Sequence, residues 1–188
     1  EKLNLNVDVL KNFVKNNPND QFIIFGFTSF IWQYLIKKIN NKKIISSNNG
    51  ILIHGGGWKK MQDQAVNRDF FNKKITDTIG INKIHNYYGM VEQTGSVFLE
   101  CEFGFFHTSI FSDVIIRDAN LKISPIKKDG LLQVFSLLPL SYPGHNILTE
   151  DIGSLQGEDN CKCGRKGKYF FIKGRVKGTE IRGCSDTH

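Results

Sequence analysis

Four short stretches of this 188-residue sequence combine glycine with side chains that can grip a nucleotide. Gly55-Gly56-Gly57 follows the apolar run Ile51–His54. Residues without Cβ let a flat ligand approach the backbone, and strand-exit loops of α/β sheets are where ligands sit. A simple tight turn is the alternative. In Asn86-Tyr87-Tyr88-Gly89-Met90-Val91-Glu92, Tyr88 can stack on a base. Glu92, four residues on, can hold a magnesium ion that bridges phosphates. A core tyrosine and a solvated glutamate are the bland reading. In Thr149-Glu150-Asp151-Ile152-Gly153, Asp151 is expected at a strand end, where its carboxylate can accept from two ribose hydroxyls. An ordinary aspartate turn would look the same. Lys173-Gly174-Arg175 places a guanidinium beside a glycine, which suits a hinge that also reaches a nucleotide.

The cysteines suggest a second kind of chemistry. Cys161-Lys162-Cys163-Gly164-Arg165 has the look of a metal knuckle, but two ligands cannot close a zinc site. Cys101 and His107 could supply the other two, which gives a Cys3His structural zinc. The alternative is a hairpin turn with reduced thiols. Cys184 lies close to the last residue, between Gly183 and Ser185, and could ride on a mobile arm. His54 adjoins the glycine loop, and a hydrogen-bonded structural role is favoured over substrate contact.

The elements that must position these groups change character along the chain. Val7, Leu10, Phe13 and Val14 recur at helical spacing, and the spacing predicts a helix over 6–16 that Pro18 ends. Phe22–Gly26 reads as a buried strand, followed by a helix over 27–39 capped near Thr28 or Ser29. Ile51–His54 is a second strand, a polar helix spans 60–78, and Lys83–Tyr88 is a third strand. After residue 95 short apolar strands at 97–99, 114–116, 130–135 and 169–172 alternate with Gly, Asp and Pro turns. The expected fold is therefore α/β: a parallel sheet with flanking helices over 1–95, then a small antiparallel β sheet or barrel over 96–178. Residues 179–188 are expected to form a mobile tail carrying Cys184.

Composition narrows the function classes. A chain 40% hydrophobic with 15 Phe can bury a real core. A net charge of +7 allows an anionic partner, but the lysines are scattered with Asn and Ile, so nucleic acid is not expected. No run of about 18 apolar residues is present, so no membrane span is expected. No secretory signal is visible at Glu1-Lys2-Leu3-Asn4, and a cytoplasmic location is expected.

In this order, the four motifs resemble the late blocks of the adenylate-forming superfamily. Asn86-x-Tyr88-Gly89-x-x-Glu92 is similar to its Tyr-Gly-x-Thr-Glu block, Thr149-Glu150-Asp151 to its Thr-Gly-Asp block, and Gly174-Arg175 to its hinge block. The stretches His54–Lys60, Tyr88–Gln93 and Glu180-Ile181-Arg182-Gly183-Cys184-Ser185 are most similar to the acyl-protein synthetase (LuxE-type) family. The resemblance implies ATP-dependent activation of a long-chain fatty acid as its adenylate, then thioester formation on Cys184. It implies hand-over to a partner such as an acyl reductase or acyl carrier. It assigns adenine stacking to Tyr88 with Gly89, adenine contact to the loop Gly55, Gly56 and Gly57, Mg2+ to Glu92, and ribose to Asp151 with Arg175. Cys101, His107, Cys161 and Cys163 look similar to cysteine and histidine motifs of phenylacetate-CoA ligases. Such a CoA ligase, or a non-catalytic zinc-stabilised binding module, is the alternative function. The superfamily's Ser/Thr/Gly phosphate loop has no match in these residues, so the chain is expected to be part of a longer protein.

Overall fold

The computed structural model describes residues 5–39, 49–176 and 178. Contacts divide the chain into two compact units, with the division between Asn86 and Tyr87.

In the first unit, helix α1 (Val7–Asn16) starts where the Asn6 side chain accepts from the Val9 N–H at 3.1 Å. That cap satisfies one of the orphan donors of the first turn. Val7, Leu10 and Val14 face the core as the periodicity predicts. Strands β1 (Phe22–Phe27) and β2 (Gly50–Gly55) pair in parallel, from Phe22 opposite Gly50 to Phe27 opposite Gly55. Their apolar side chains join Ile31, Trp32, Leu35, Ile36, Phe71, Ile75 and Ile79 in one buried cluster.

Two helices depart from expectation. The segment after β1 is α-helical at α2 (Thr28–Phe30) and α3 (Lys37–Ile39) but π-helical over Ile31–Ile36. Neither Thr28 nor Ser29 caps it: Phe27 occupies the cap position without a side-chain bond. The Thr28 hydroxyl instead donates to the Gly55 carbonyl at 3.0 Å and lies 2.9 Å from His54 Nδ1. The polar helix expected over 60–78 is two pieces. A 3-10 stretch (Lys59–Gln64) is followed by extended Ala65, and α4 (Arg68–Ile79) starts afresh. The restart comes from Asn67, whose side chain accepts from Phe70 N–H at 2.8 Å, and Gly80 ends the helix at φ +72°.

Strand β3 (Lys83–Tyr88) runs across the division. Its last residues already pair with β4 (Phe98–Glu100), Tyr87 opposite Leu99 and Tyr88 opposite Phe98. That pairing explains why the second unit begins before the expected boundary near 96. The other strands are β5 (Phe106–His107), β6 (Ser112–Arg117), β7 (Asp129–Ser136), β8 (Asn146–Glu158) and β9 (Lys168–Arg175). Within this unit the order is β4-β5-β9-β8-β7-β6, every pair antiparallel. Phe98, Phe106, Val114, Ile116, Leu132, Val134 and Phe170 fill its core.

β8 is the chief correction to the sequence reading. Asp151 stands within a 13-residue strand, not at a strand end. Its Thr, Glu, Asp and Gly residues look like a turn, but Asp151 pairs with Arg175 of β9, Ile152 and Gly153 pair with both β7 and β9, and the Glu150 carbonyl accepts from the Val176 N–H. Register shifts at Ile152/Gly153 and Leu155/Gly157 absorb the irregularity.

Glycine at position 130 is required by this sheet. A Cβ there would lie 2.2 Å from the Arg117 carbonyl oxygen, which is backbone and cannot rotate away. Gly130→Ala should lower the free energy of unfolding by about 2 kcal/mol or more, within the overpacking range. Gly57→Ala, where a Cβ meets nothing within 4 Å and only φ +62° resists, should cost about 1 kcal/mol. Urea denaturation of both variants tests this ordering.

Candidate functional site

Three of the residues singled out in the sequence meet in the second unit. The Tyr88 hydroxyl donates to Asp151 Oδ2 at 2.6 Å. Arg175 is the Cα partner of Asp151 across the β8–β9 ladder, and its Nε lies 3.7 Å from Asp151 Oδ1. Its Nη2 also donates to Glu150 Oε2 at 2.5 Å. One guanidinium thus serves two adjacent carboxylates, and one of them holds a phenol. An open hollow of about 360 Å³ lies against this group, lined by Ile152, Lys173, Gly174, Arg175 and Val176.

The Tyr88 ring is held from several sides. Phe98, Phe106 and Phe170 pack around it with centroids 6.0, 6.3 and 6.5 Å away. Burial, with the Asp151 carboxylate alongside, raises the phenol far above its ordinary pKa. Tyr88 therefore stays a neutral donor at any physiological pH. The Thr149 hydroxyl accepts from the Asp151 N–H at 3.1 Å and donates to the Leu132 carbonyl at 2.8 Å, which fixes the strand under the carboxylate.

Gly89 and Glu92 belong to the same unit. A Cβ on Gly89 would meet the Ser96 carbonyl oxygen at 3.1 Å. Glu92 is exposed on the 3-10 turn Val91–Gln93. The turn is anchored by a residue that the sequence reading passed over. Gln93 is buried, and its amide donates to the Gly144 carbonyl at 2.9 Å. The Tyr142 hydroxyl accepts from the Thr94 N–H at 3.0 Å. Tyr142-Pro143-Gly144 seats the segment carrying Glu92.

Gly55, Gly56 and Gly57 lie in the first unit. Gly55 closes β2, while Gly56 and Gly57 have φ +75° and +62°, the left-handed region that glycine enters freely. His54 is buried, stacked obliquely on Phe71 at 4.6 Å and bonded to Thr28. Burial first, then electrostatic repulsion from Arg68 and His85, lowers its pKa to about 4. It is a neutral structural hydrogen-bonder.

A separate cluster in the second unit gathers Cys101, His107, Cys161 and Cys163, whose ligand atoms all lie within 4.8 Å of one another. The three cysteines form no disulfide. Cys163 Sγ sits 3.4 Å from His107 Nε2, and the imidazole stacks on Tyr169 at 5.7 Å. Burial, together with the neighbouring thiols, raises Cys161 to about 11, and burial lowers His107. Cys184 lies outside the described residues.

Comparison with known proteins gives a consistent picture. The family model described as acyl-protein synthetase, LuxE, matches residues 3–188. The chain is 30% identical over 141 residues to a long-chain-fatty-acid--luciferin-component ligase of Vibrio harveyi, covering 71% of this chain and 35% of that protein. It is 30% identical over 145 residues to the ligase of the same name from Aliivibrio fischeri, covering 74% and 38%. It therefore spans little more than a third of the length of these relatives. Among solved structures, apo MatB of Rhodopseudomonas palustris superposes with a TM-score of 0.60 at 14% identity, covering 92% of this chain and 34% of that one. A long-chain-fatty-acid-CoA ligase of Archaeoglobus fulgidus (FadD1) gives 0.59 at 10% identity, covering 92% and 37%. These likenesses establish the fold as mixed α/β, of the kind seen in those structures. No helix among the described residues is long and apolar enough to cross a membrane.

The His54 environment sets a pH dependence. Its folded pKa is depressed below the unfolded value of 6.5, so the unfolded chain binds the extra proton. This contribution to stability is complete above about pH 6.5 and is lost as pH falls to about 4, amounting to about 3 kcal/mol. Denaturant midpoints for wild type and His54→Gln should differ most near neutrality and converge through this window. A constant difference would remove His54 from the effect.

Proposed function

Because this chain belongs to the LuxE acyl-protein synthetase family, we propose that its complete protein activates a long-chain fatty acid with ATP and passes the acyl group to Cys184. The observation that carries this reading is the meeting of Tyr88, Asp151 and Arg175. These are the positions at which the adenylate-forming motifs place adenine, ribose and hinge. The names of the relatives, both fatty-acid ligases, support the substrate class. A solved neighbour described as ATP-bound MatB supports the nucleotide.

In the first half-reaction an oxygen of the fatty carboxylate attacks the α-phosphorus of ATP, and pyrophosphate leaves. Asp151 accepts hydrogen bonds from the ribose hydroxyls. One of its oxygens already accepts a hydrogen bond from the Tyr88 hydroxyl, so its orientation is set before the nucleotide arrives. Arg175 offsets the charge that Asp151 and Glu150 bring together. Tyr88 and Gly89 flank the adenine. Exposed Glu92 would hold Mg2+, which would supply charge neutralisation at the phosphates. In the second half-reaction the Cys184 thiolate attacks the acyl carbon and AMP departs, leaving a thioester. A partner protein that reduces or carries the acyl group then takes it from Cys184.

Fatty-acid-dependent ATP–pyrophosphate exchange by the complete protein tests the first half. Asp151→Asn should raise the KM for ATP by about 10–100-fold, as expected for a lost charge-assisted hydrogen bond. Cys184→Ser should keep exchange but abolish labelling by radioactive acyl groups. Labelling that survives in Cys184→Ser removes that residue from its role, and product formed only with added CoA makes CoA the acceptor.

A further inference from the structure

Cys101, His107, Cys161 and Cys163 have no part in the adenylation reading, yet four residues from three places in the chain converge on one point. Their placement follows from two similar turns. After β4, the Gly104 N–H donates to the Cys101 carbonyl at 2.9 Å, with Gly104 at φ +82°. Between β8 and β9, the Gly164 N–H donates to the Cys161 carbonyl at 3.0 Å, with Gly164 at φ +83°. Both are tight cysteine turns closed by a left-handed glycine, and they bring their sulfurs together. His107, on β5 between β4 and β9, pairs with Leu99 and Tyr169 and aims Nε2 at Cys163.

We propose that these four side chains bind one zinc ion as a closed structural site. A tetrahedron with metal–sulfur bonds of about 2.3 Å has edges of about 3.8 Å, so donors already within 4.8 Å need only small rotamer shifts to close. Three soft sulfurs and an imidazole select zinc over the oxygen-seeking Mg2+ and Ca2+. Four protein ligands leave no open position, so the ion is not catalytic. Three thiolates around Zn2+ leave one net negative charge. Arg165, two residues past Cys163, donates to the Leu99 carbonyl at 3.1 Å, and Leu99 is the strand partner of His107. A cation is thereby held beside the anionic centre.

The fold gives the ion a purpose. β4 and β5 are only three and two residues long, too short to hold their register by ladder bonds alone. The metal would pin both to the β8–β9 connection. Phe98 of β4 and Phe106 of β5 pack on Tyr88, so the pin would also steady the tyrosine.

Elemental analysis of the protein purified without chelator should find about one zinc per chain. A thiol reagent should reach Cys101, Cys161 and Cys163 only after a strong chelator is added. Cys163→Ser should lose the metal, while Cys184→Ser should keep it. Should Cys163→Ser fail to fold, cobalt reconstitution of the wild type gives the readout: tetrahedral thiolate-to-cobalt bands are expected. Protein free of metal whose four thiols all react immediately would overturn the proposal. So would a stoichiometric metal other than zinc, or a Cys161–Cys163 disulfide in the native protein.

Discussion

The hydrogen bond from Tyr88 to Asp151 depends on strand register more than on either residue. Tyr88 ends β3, and Asp151 lies sixty-three positions later inside β8. They meet because β4, β5 and β9 each pair antiparallel with the next. A slip of one residue in β8 would turn Asp151 to the opposite face and break its pairing with Arg175. The glycines and bulges at Ile152/Gly153 hold that register, since Gly153 has no Cβ to strike the Phe171 carbonyl. A half-buried phenol and a half-buried carboxylate are costly unless paired, so their mutual bond also favours this arrangement over slipped ones.

The same economy recurs in the first unit. Thr28 stands just past β1 and His54 near the end of β2, and a buried hydrogen bond ties the two parallel strands at the rim from which the glycine loop leaves. The rim is fixed by a neutral imidazole, and Gly56 and Gly57 follow it at positive φ. In the second unit Gln93 does comparable work for the turn carrying Glu92. Neither anchor bears on chemistry directly. Each holds short irregular backbone where a ladder cannot reach.

Much of the fold was legible because local physics and tertiary structure agree. The periodicity of Val7, Leu10 and Val14 and the apolar runs at β1, β2 and β3 all carry over. The failures have one cause. Thr28 looked like a cap and Asp151 like a turn residue, because short polar side chains near glycine usually satisfy their own backbone. Here the Thr28 and Asp151 side chains bond instead to partners distant in sequence, Thr28 to His54 and Gly55 and Asp151 to Tyr88. The break in the polar helix was available in Asn67 and was overridden by the longer pattern around it.

What the sequence determined by itself was the kind of chemistry: glycine, tyrosine, carboxylates and arginine in the order of the adenylate-forming motifs, and an uneven set of cysteines with one histidine. Residue type and local spacing are enough for that, since side-chain donors and charges do not change with the fold. Only the tertiary structure decided which of them meet. Tyr88, Asp151 and Arg175 come together through five paired strands, and Cys101, His107, Cys161 and Cys163 through two turns and β5. Contacts between distant residues are set by strand order and register, and no local pattern encodes these.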